Sequence, residues 1–188
     1  MNKAIPRILP EHRIPGKIYN CQRCELAGQR NRVIWGEGNP AGQIFVILDN
    51  PGARENRLGE PYLCGTRETL QLAAIEAGIE PEQLYVSYIL KCRPVRAYEK
   101  LRARETCRDY LWEQIEVVKP RVLMILGNVA AQSLFRDPLA EVKNLRGSVR
   151  QLCDYDIIVS YHPLAVRRRP NLARYFAEDW QLAAGLIQ

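Results

Sequence analysis

The sequence lacks any long apolar segment. No hydrophobic run approaches the roughly 18 residues that a membrane-spanning helix needs, so no membrane partner is expected. The first twenty residues mix Pro, Lys, Arg and His with single apolar residues, and they contain no continuous apolar stretch of the signal-peptide kind. Internal repeats and low-complexity segments are absent too. These absences favour a cytoplasmic protein.

The composition excludes disordered, fibrous and disulfide-stapled classes. Of the 188 residues, 47% are hydrophobic and 26% are charged, which are ordinary values for a globular chain. A chain of this length buries roughly 70% of its unfolded surface, enough for a core without disulfides. We therefore expect one domain, residues 1–188. In the cytoplasm its six cysteines would be metal ligands or buried thiols rather than disulfides.

Positive charge is concentrated in two segments of the chain. The net charge is +6, from 27 basic and 21 acidic residues. Residues 91–108 and residues 143–174 each contain seven Lys or Arg and two Asp or Glu, so each segment carries +5. Two basic segments on a mildly acidic body indicate a surface for a polyanion, for which a phosphate backbone is the commonest candidate. Scattered, solvated charge is the alternative.

Strand and helix patterns alternate after a Pro-, Arg- and Gly-rich region, 1–42, which we expect to wrap the sheet. Short apolar runs predict four strands, at 43–48, 84–90, 121–126 and 156–160. Helical spacing predicts four helices, at 66–78, 98–118, 127–135 and 172–187. This order predicts an α/β fold: a three-layer α/β/α arrangement with a mainly parallel central sheet of about four strands.

Ligands of such sheets bind beyond the carboxyl ends of the strands, so the residues that follow each strand are candidate functional residues. In this chain they are polar residues, or proline and glycine with their particular backbone conformations. They comprise 49–51, 91–94, 127–128 and 161–163. The alternative for Asp49 and Asn50 is that both residues only shape the turn before Pro51-Gly52.

The spacing of four cysteines is compatible with a metal site. Cys21 and Cys24 form C-x-x-C in a polar loop, Cys92 follows a strand, and Cys107 lies on the apolar face of a helix. Four thiolates could hold tetrahedral zinc or an iron–sulfur cluster, and the spacing does not separate the two. A core thiol at Cys107, with no metal, is the third possibility. Two further cysteines lack a Cys or His neighbour and are expected to be buried thiols: Cys64 and Cys153.

Several motifs together resemble the uracil-DNA glycosylase superfamily, and most closely its iron–sulfur family 4. From residue 18 onward they are C-x-x-C-x-L (21–26), W-G-E-G-N-P (35–40), L-D-N-P-G (48–52), G-E-P-Y (59–62), K-C-R-P (91–94), Cys107, L-R-G (145–147) and H-P-L-A (162–165). The resemblance implies a DNA glycosylase that hydrolytically excises uracil, acting as a monomer on DNA with a damaged base. It also implies a [4Fe-4S] cluster, rather than zinc, held by Cys21, Cys24, Cys92 and Cys107, with 1–42 as a cluster-binding loop region.

Four site positions depart from the family pattern. Where family 4 reads G-E-A-P-G, this chain has Asp49 in place of the Glu, and Asn50 stands where related branches place a catalytic Asn. Tyr62 replaces the Phe that lies under the flipped base, and Tyr88 replaces the Asn that reads the uracil edge. Residues 95–106 contain no His, which sets aside the branch that links covalently to DNA.

The resemblance implies roles for the second basic segment. His162 would donate a hydrogen bond to the departing base, and Leu164 or Val166 would act as an apolar wedge in the DNA. The remaining candidates for phosphate contact are basic: Arg93, Arg146, Arg167, Arg168 and Arg169.

Three other functions remain open from the residues. Because Tyr88 replaces the amide, the same fold could excise another deaminated or alkylated base, such as hypoxanthine. A catalytically silent iron–sulfur DNA-binding module and a zinc-stabilised nucleotide-binding protein are the others.

Overall fold

The computed structural model describes residues 4–59 and 61–188, so Glu60 of the G-E-P-Y motif lies outside the described residues. It contains six strands: β1 (Glu37–Gly38), β2 (Ile44–Leu48), β3 (Leu84–Tyr88), β4 (Val122–Leu126), β5 (Arg150–Leu152) and β6 (Tyr155–Ser160). Its α-helices are α1 (Gly16–Tyr19), α2 (Gly65–Glu76), α3 (Lys100–Val118), α4 (Asn128–Phe135), α5 (Val142–Leu145), α6 (Pro163–Arg168) and α7 (Ala173–Ile187). None of these helices is long and apolar enough to cross a bilayer.

The strands form one sheet in the order β1-β3-β2-β4-β6-β5. The four central strands are parallel, and β1 and β5 pair antiparallel at the two edges. The prediction of a mainly parallel sheet is confirmed, with two more strands than expected. Both extra strands are only two or three residues long, and they have no apolar run from which to predict them.

Helices cover both faces of the sheet and make the three predicted layers. On one face Val46 and Met124 pack with Leu70 of α2 and Trp180 of α7. On the other face Phe45, Ile47 and Leu123 pack with Leu111 of α3 and Ala131 of α4. Every residue of β2, β3 and β4 is buried, which explains why these strands read as continuous apolar runs.

Helix α6 follows the last parallel strand and was not predicted. The side chain of His162 accepts a hydrogen bond from the backbone N–H of Leu164, and Pro163 occupies the first helical position, where its missing N–H costs nothing. The run of Arg at the end of this short helix gives no apolar periodicity, so the sequence offers no pattern from which to predict it.

The N-terminal region lies against the edge of the sheet and helix α2. The backbone N–H of His12 donates to the Gly36 carbonyl at 2.8 Å, and Glu11 forms a β-bridge with Glu37. The backbone N–H of Arg7 donates to Gln71 of α2 at 2.9 Å. These contacts hold the region against strand β1, as expected for a segment that wraps the sheet.

Candidate active site and cysteine cavity

Asp49 and His162 meet at the carboxyl edge of the sheet. Asp49 follows β2 and His162 follows β6, and β4 separates the two strands. Nε2 of His162 lies 3.5 Å from Oδ1 of Asp49. The parallel arrangement therefore brings together a carboxylate and an imidazole that lie far apart in the sequence.

The hydrogen bonding of His162 fixes which of its ring nitrogens carries the proton. Its Nδ1 accepts the backbone N–H of Leu164 at 3.1 Å as the cap of helix α6. In a neutral imidazole the other nitrogen then carries the hydrogen. The Nε2–H group of His162 therefore faces Asp49 and the edge of the sheet.

Gly127, directly after β4, leaves room for the His162 side chain. Its φ of +100° lies in a region that side chains rarely adopt, and a Cβ there would lie 3.1 Å from the Cβ of His162. A residue other than glycine would both strain the turn and displace His162.

The turn after β2 holds the Asp49 carboxyl in its ionised form. The backbone N–H of Asn50 donates to Oδ1 of Asp49 at 2.8 Å, and the Asn50 amide donates to the Pro51 carbonyl at 3.0 Å. Burial alone would raise the pKa of Asp49, but His162 and the backbone N–H of Asn50 bring this pKa below its ordinary value. Asp49 and Asn50 do shape the turn, yet the Asp49 side chain keeps about a third of its surface open, at 35%.

A buried network of four charged side chains lies behind this turn. Arg54 contacts Glu37 at 2.5 Å and Glu55 at 2.8 Å. Arg67 of helix α2 contacts the same two carboxylates: it pairs with Glu37, and it lies 3.2 Å from Glu55. Two cations and two anions cancel, which is how a protein tolerates charges that are almost completely removed from water.

The network fixes the loop that follows the turn. Glu55 accepts the backbone N–H of Gly52 at 2.9 Å, and Arg54 reaches the Tyr62 carbonyl at 3.4 Å. Burial would raise the pKa of Glu55, but Arg67 and Arg54 lower it below the ordinary value. The loop between Gly52 and Tyr62 is thus tied to the sheet edge and to α2 by charge-assisted hydrogen bonds.

The two aromatic candidates occupy different environments. Tyr62 is partly exposed, and the Arg57 guanidinium lies 5.7 Å from the centre of its ring. Tyr88 is 1% exposed and its hydroxyl accepts a hydrogen bond from Arg67. Burial raises the pKa of Tyr88 well above its ordinary value, so this hydroxyl stays protonated. Tyr88 therefore presents no accessible polar group to a ligand, whereas Tyr62 has an open ring.

Sequence reasoning missed the charged network. Glu37 belongs to the W-G-E-G-N-P motif, but nothing in the local pattern distinguishes Arg54, Glu55 and Arg67 from solvated surface charges. Their burial is a product of the tertiary fold, because their partners come from β1, the loop and helix α2.

The two predicted wedge residues differ in exposure. Leu164 is 38% exposed at the start of helix α6, whereas Val166 is 7% exposed and packs in the core with Phe176 and Trp180. Helical spacing turns Val166 inward, so only Leu164 of the two presents its side chain to solvent.

The arginines that follow Leu164 lie at the surface. Arg168 and Arg169 are exposed, and Arg167 lies on Gly65 at the start of α2, donating to the Gly65 carbonyl at 3.3 Å. A Cβ on Gly65 would lie 2.5 Å from the Arg167 guanidinium, so glycine permits this contact. Arg93 is half-buried beside the cysteines.

The expectation that Arg146 contacts phosphate is corrected by its intramolecular partners. Its guanidinium binds the fully buried Asp179 at 2.9 Å and Glu178 at 2.8 Å. Asp179 also accepts hydrogen bonds from Ser160 and from the backbone N–H of Gly147. Arg146 thus neutralises a buried carboxylate and locks the L-R-G turn to helix α7.

The four predicted ligand cysteines line one small cavity. Cys21 and Cys24 come from the N-terminal loop, Cys92 from the end of β3, and Cys107 from helix α3. The other lining residues are Ile18, Arg30, Val33, Lys91, Thr106 and Tyr110. All six cysteines are free thiols. The fold therefore assembles four sulfur donors from three separate parts of the chain.

The cavity is not shaped around a single ion. Within the described ranges, no three Cys, His, Asp or Glu side chains converge closely enough to hold one metal ion. Burial raises the pKa of Cys92 to about 12 and also raises the pKa of Cys107. These thiols are therefore neutral without a metal, and ligation would release their protons.

The two remaining cysteines are not both buried, which corrects the prediction. Cys64 is half-buried at the start of α2, with its sulfur 3.0 Å from the Thr66 hydroxyl. Cys153 is exposed in the turn between β5 and β6 and adopts a φ of +53°. The position of Cys153 in a tight hairpin, rather than its apolar character, determines its exposure.

Comparison with known proteins places this chain in a family. Residues 35–184 match the family model described as the uracil DNA glycosylase superfamily. The chain is 30% identical over 173 residues to the type-4 uracil-DNA glycosylase of Archaeoglobus fulgidus, covering 88% of this chain and 87% of that protein. The proteins of the same name from Pyrobaculum aerophilum and Sulfurisphaera tokodaii are 29% and 28% identical. Those alignments cover 89% and 90% of this chain, and 90% and 81% of the relatives.

Replacing His162 by Asn is expected to raise the pKa of Asp49. Asn can still cap helix α6, but the imidazole that lowers this pKa is lost while the burial that raises it remains. Carbon-13 NMR of the labelled carboxyl, followed as the pH falls, measures the shift. The control Arg168→Ala, on the exposed part of α6, should leave the pKa unchanged. An equal pKa in H162N and the wild type would contradict the contact.

Proposed function

Since this chain belongs to the uracil-DNA glycosylase superfamily, and within it to the type-4 enzymes, we propose that it excises uracil from DNA. The reaction is hydrolysis of the bond between base and sugar, without cleavage of the DNA strand. The observation that carries the proposal is the contact between Asp49 and His162 at the carboxyl edge of the sheet. DNA that contains a damaged base is the partner.

Excision requires that the nucleotide leave the helix, because the bond to the base is not accessible inside a duplex. The open ring of Tyr62 is the platform on which the extruded base stacks. Leu164 fills the gap left in the DNA, and Arg167, Arg168 and Arg169 contact the phosphates on either side. Arg93 is a further phosphate contact beside the cysteine cavity.

Cleavage develops positive charge on the sugar and negative charge on the departing base. The ionised Asp49 carboxylate stabilises the sugar cation or orients the attacking water, and Asn50 positions that water. Nε2–H of His162 donates to the carbonyl oxygen of the base, where negative charge accumulates. At 3.5 Å the contact with Asp49 is long for a hydrogen bond, so Nε2–H can donate to the base while the cap at Nδ1 stays in place.

The burial of Lys91 supports a monofunctional mechanism. A glycosylase that also cuts the strand needs a nucleophilic amine at the sugar. The Lys91 ammonium is fully buried, and it donates to Ser87 at 2.7 Å and to the Tyr88 carbonyl at 2.8 Å. Lys91 is therefore committed to the interior beside the cysteines and cannot serve as that amine, which agrees with water as the proposed nucleophile.

One observation favours a second candidate substrate. Tyr88 stands where the family has a base-reading Asn, and its hydroxyl is buried against Arg67. Without an amide at this position, the pocket has lost one means of rejecting other bases. Excision of hypoxanthine or another deaminated or alkylated base is therefore the alternative to uracil.

The cysteine cavity fits an iron–sulfur cluster better than zinc. Its four thiols surround a common space, yet no three of them approach as zinc ligands would in the described part of the chain. We assign Cys21, Cys24, Cys92 and Cys107 to a [4Fe-4S] cluster. When bound, the cluster supplies iron–thiolate bonds that tie residues 21–24 to strand β3 and helix α3, a structural role. We also propose that the protein is cytoplasmic, where free thiols persist, and that it acts as a monomer.

Replacing His162 by Ala should slow uracil release by about 10²- to 10³-fold, because the donor to the departing base is lost. Single-turnover release from single- and double-stranded oligonucleotides measures this rate, with hypoxanthine and ethenocytosine substrates in parallel. His12→Ala is the matched control, since His12 contacts Tyr85 near strand β1 and is not part of the site. An unchanged rate in H162A, or faster release of hypoxanthine than of uracil by the wild type, would overturn the assignment.

The cluster assignment predicts that Cys92→Ser abolishes iron binding. Protein purified without oxygen should be brown and contain about four irons and four sulfides per chain. C92S should lose the iron and the visible absorbance, while Cys153→Ser, at an exposed thiol, should keep both. Colourless wild-type protein with stoichiometric zinc would instead identify a zinc site.

A further inference from the structure

A groove lies between helices α3 and α4, on residues that the proposed activity does not use. Its volume is about 490 Å³, within the roughly 300–1,000 Å³ typical of ligand sites. It is lined by Leu101, Arg104, Glu105, Arg108, Gln132, Ser133, Arg136 and Pro138. None of these residues lines the cysteine cavity or belongs to the candidate active site.

The groove is separate from the cysteine cavity because α3 presents different faces to the two. Thr106, Cys107 and Tyr110 line the cavity, whereas Arg104 and Arg108 line the groove. A ligand in the groove would therefore leave the cysteines and the Asp49–His162 edge accessible.

Three guanidinium groups give the groove a positive charge. Arg104, Arg108 and Arg136 face a single carboxylate, that of Glu105. Within residues 4–59 and 61–188, none of the three arginines has a side-chain hydrogen bond or an ion pair. Guanidinium forks of this kind suit carboxylates or phosphates, which they bind through paired hydrogen bonds.

One guanidinium nitrogen is already removed from solvent. Nε of Arg104 is buried, and no acceptor reaches it from the described residues. Buried polar groups nearly always have a partner, so this unsatisfied N–H is unusual. The two terminal nitrogens of the same guanidinium are not among the buried atoms and have no partner within the described residues, so they can bind an anionic group in the groove.

The rim of the groove is apolar as well as basic. Leu101 is 72% exposed at the start of α3, and Pro138 is exposed after α4. A ligand that fills the groove therefore combines negative charge with an apolar group. A phosphate backbone has the charge without the apolar part, so it matches the groove less well than a ligand that has both.

We propose that this groove binds an acidic peptide segment of a partner protein. Acidic side chains bind Arg104, Arg108 and Arg136, and an apolar side chain packs on Leu101 and Pro138. Arginine clusters are a recurrent means of recognising acidic motifs. Such a segment would attach the partner while DNA occupies the other surface.

The test uses a fluorescein-labelled octapeptide of alternating Asp and Leu, titrated with the full-length protein and followed by fluorescence anisotropy. We expect saturable binding that weakens with added salt, because the contacts include charge pairs. Peptides in which Ala replaces Leu, or Asn replaces Asp, should each bind at least about tenfold more weakly. Equal binding of either peptide would overturn the proposal.

Matched variants place the binding in the groove. Arg104→Gln and Arg108→Gln should each weaken peptide binding about tenfold, while Arg102→Gln, on the same helix but outside the groove, should not. If R104Q unfolds, Arg136→Gln and Leu101→Ser test the opposite wall and the rim. Absence of saturable binding, or equal losses in R102Q and the groove variants, would overturn the proposal. So would a loss of oligonucleotide affinity in the groove variants without loss of peptide binding, which would assign the groove to DNA.

Discussion

The contact between Asp49 and His162 depends on the direction of four strands. Because β3, β2, β4 and β6 are parallel, the residues that follow them emerge at one edge of the sheet. Gly127, between the two, permits the imidazole to approach the end of β4. The cap of helix α6 then fixes the imidazole proton on Nε2. A carboxylate and a hydrogen-bond donor thus lie 3.5 Å apart at one edge of the sheet before any substrate arrives. Such an arrangement is the kind of preorganisation that we propose stabilises developing charge.

The rest of the edge is held by interactions that lie behind it. The network of Glu37, Arg54, Glu55 and Arg67 secures the loop from the turn after β2 to Tyr62. Because these charges are buried and balanced, removing one would leave its partners uncompensated, at a cost of about 3–5 kcal/mol. The network also occupies the Tyr88 hydroxyl, because Arg67 donates a hydrogen bond to it.

Periodicity and turn chemistry were sufficient to predict the central sheet and its four main helices. Buried parallel strands are continuous apolar runs, and the stripe on α3 through Leu111 and Ile115 is buried as expected. The short edge strands and helix α6 were missed, because they depend on pairing and on a histidine cap rather than on an apolar pattern. The motifs indicated Asp49, His162 and the four cysteines of the cavity. The intramolecular partners of Arg146 and the charged network could not be predicted, since the paired residues are distant in sequence.

We propose that Asp49 and His162 act together on one transition state. A double-mutant cycle tests it most directly, with uracil release measured for Asp49→Asn, for His162→Ala and for the two combined. The account predicts an interaction energy of about 1 kcal/mol or more, so that the double variant loses much less than the product of the single losses. Losses that simply multiply would show that the two residues act independently, and would contradict the account.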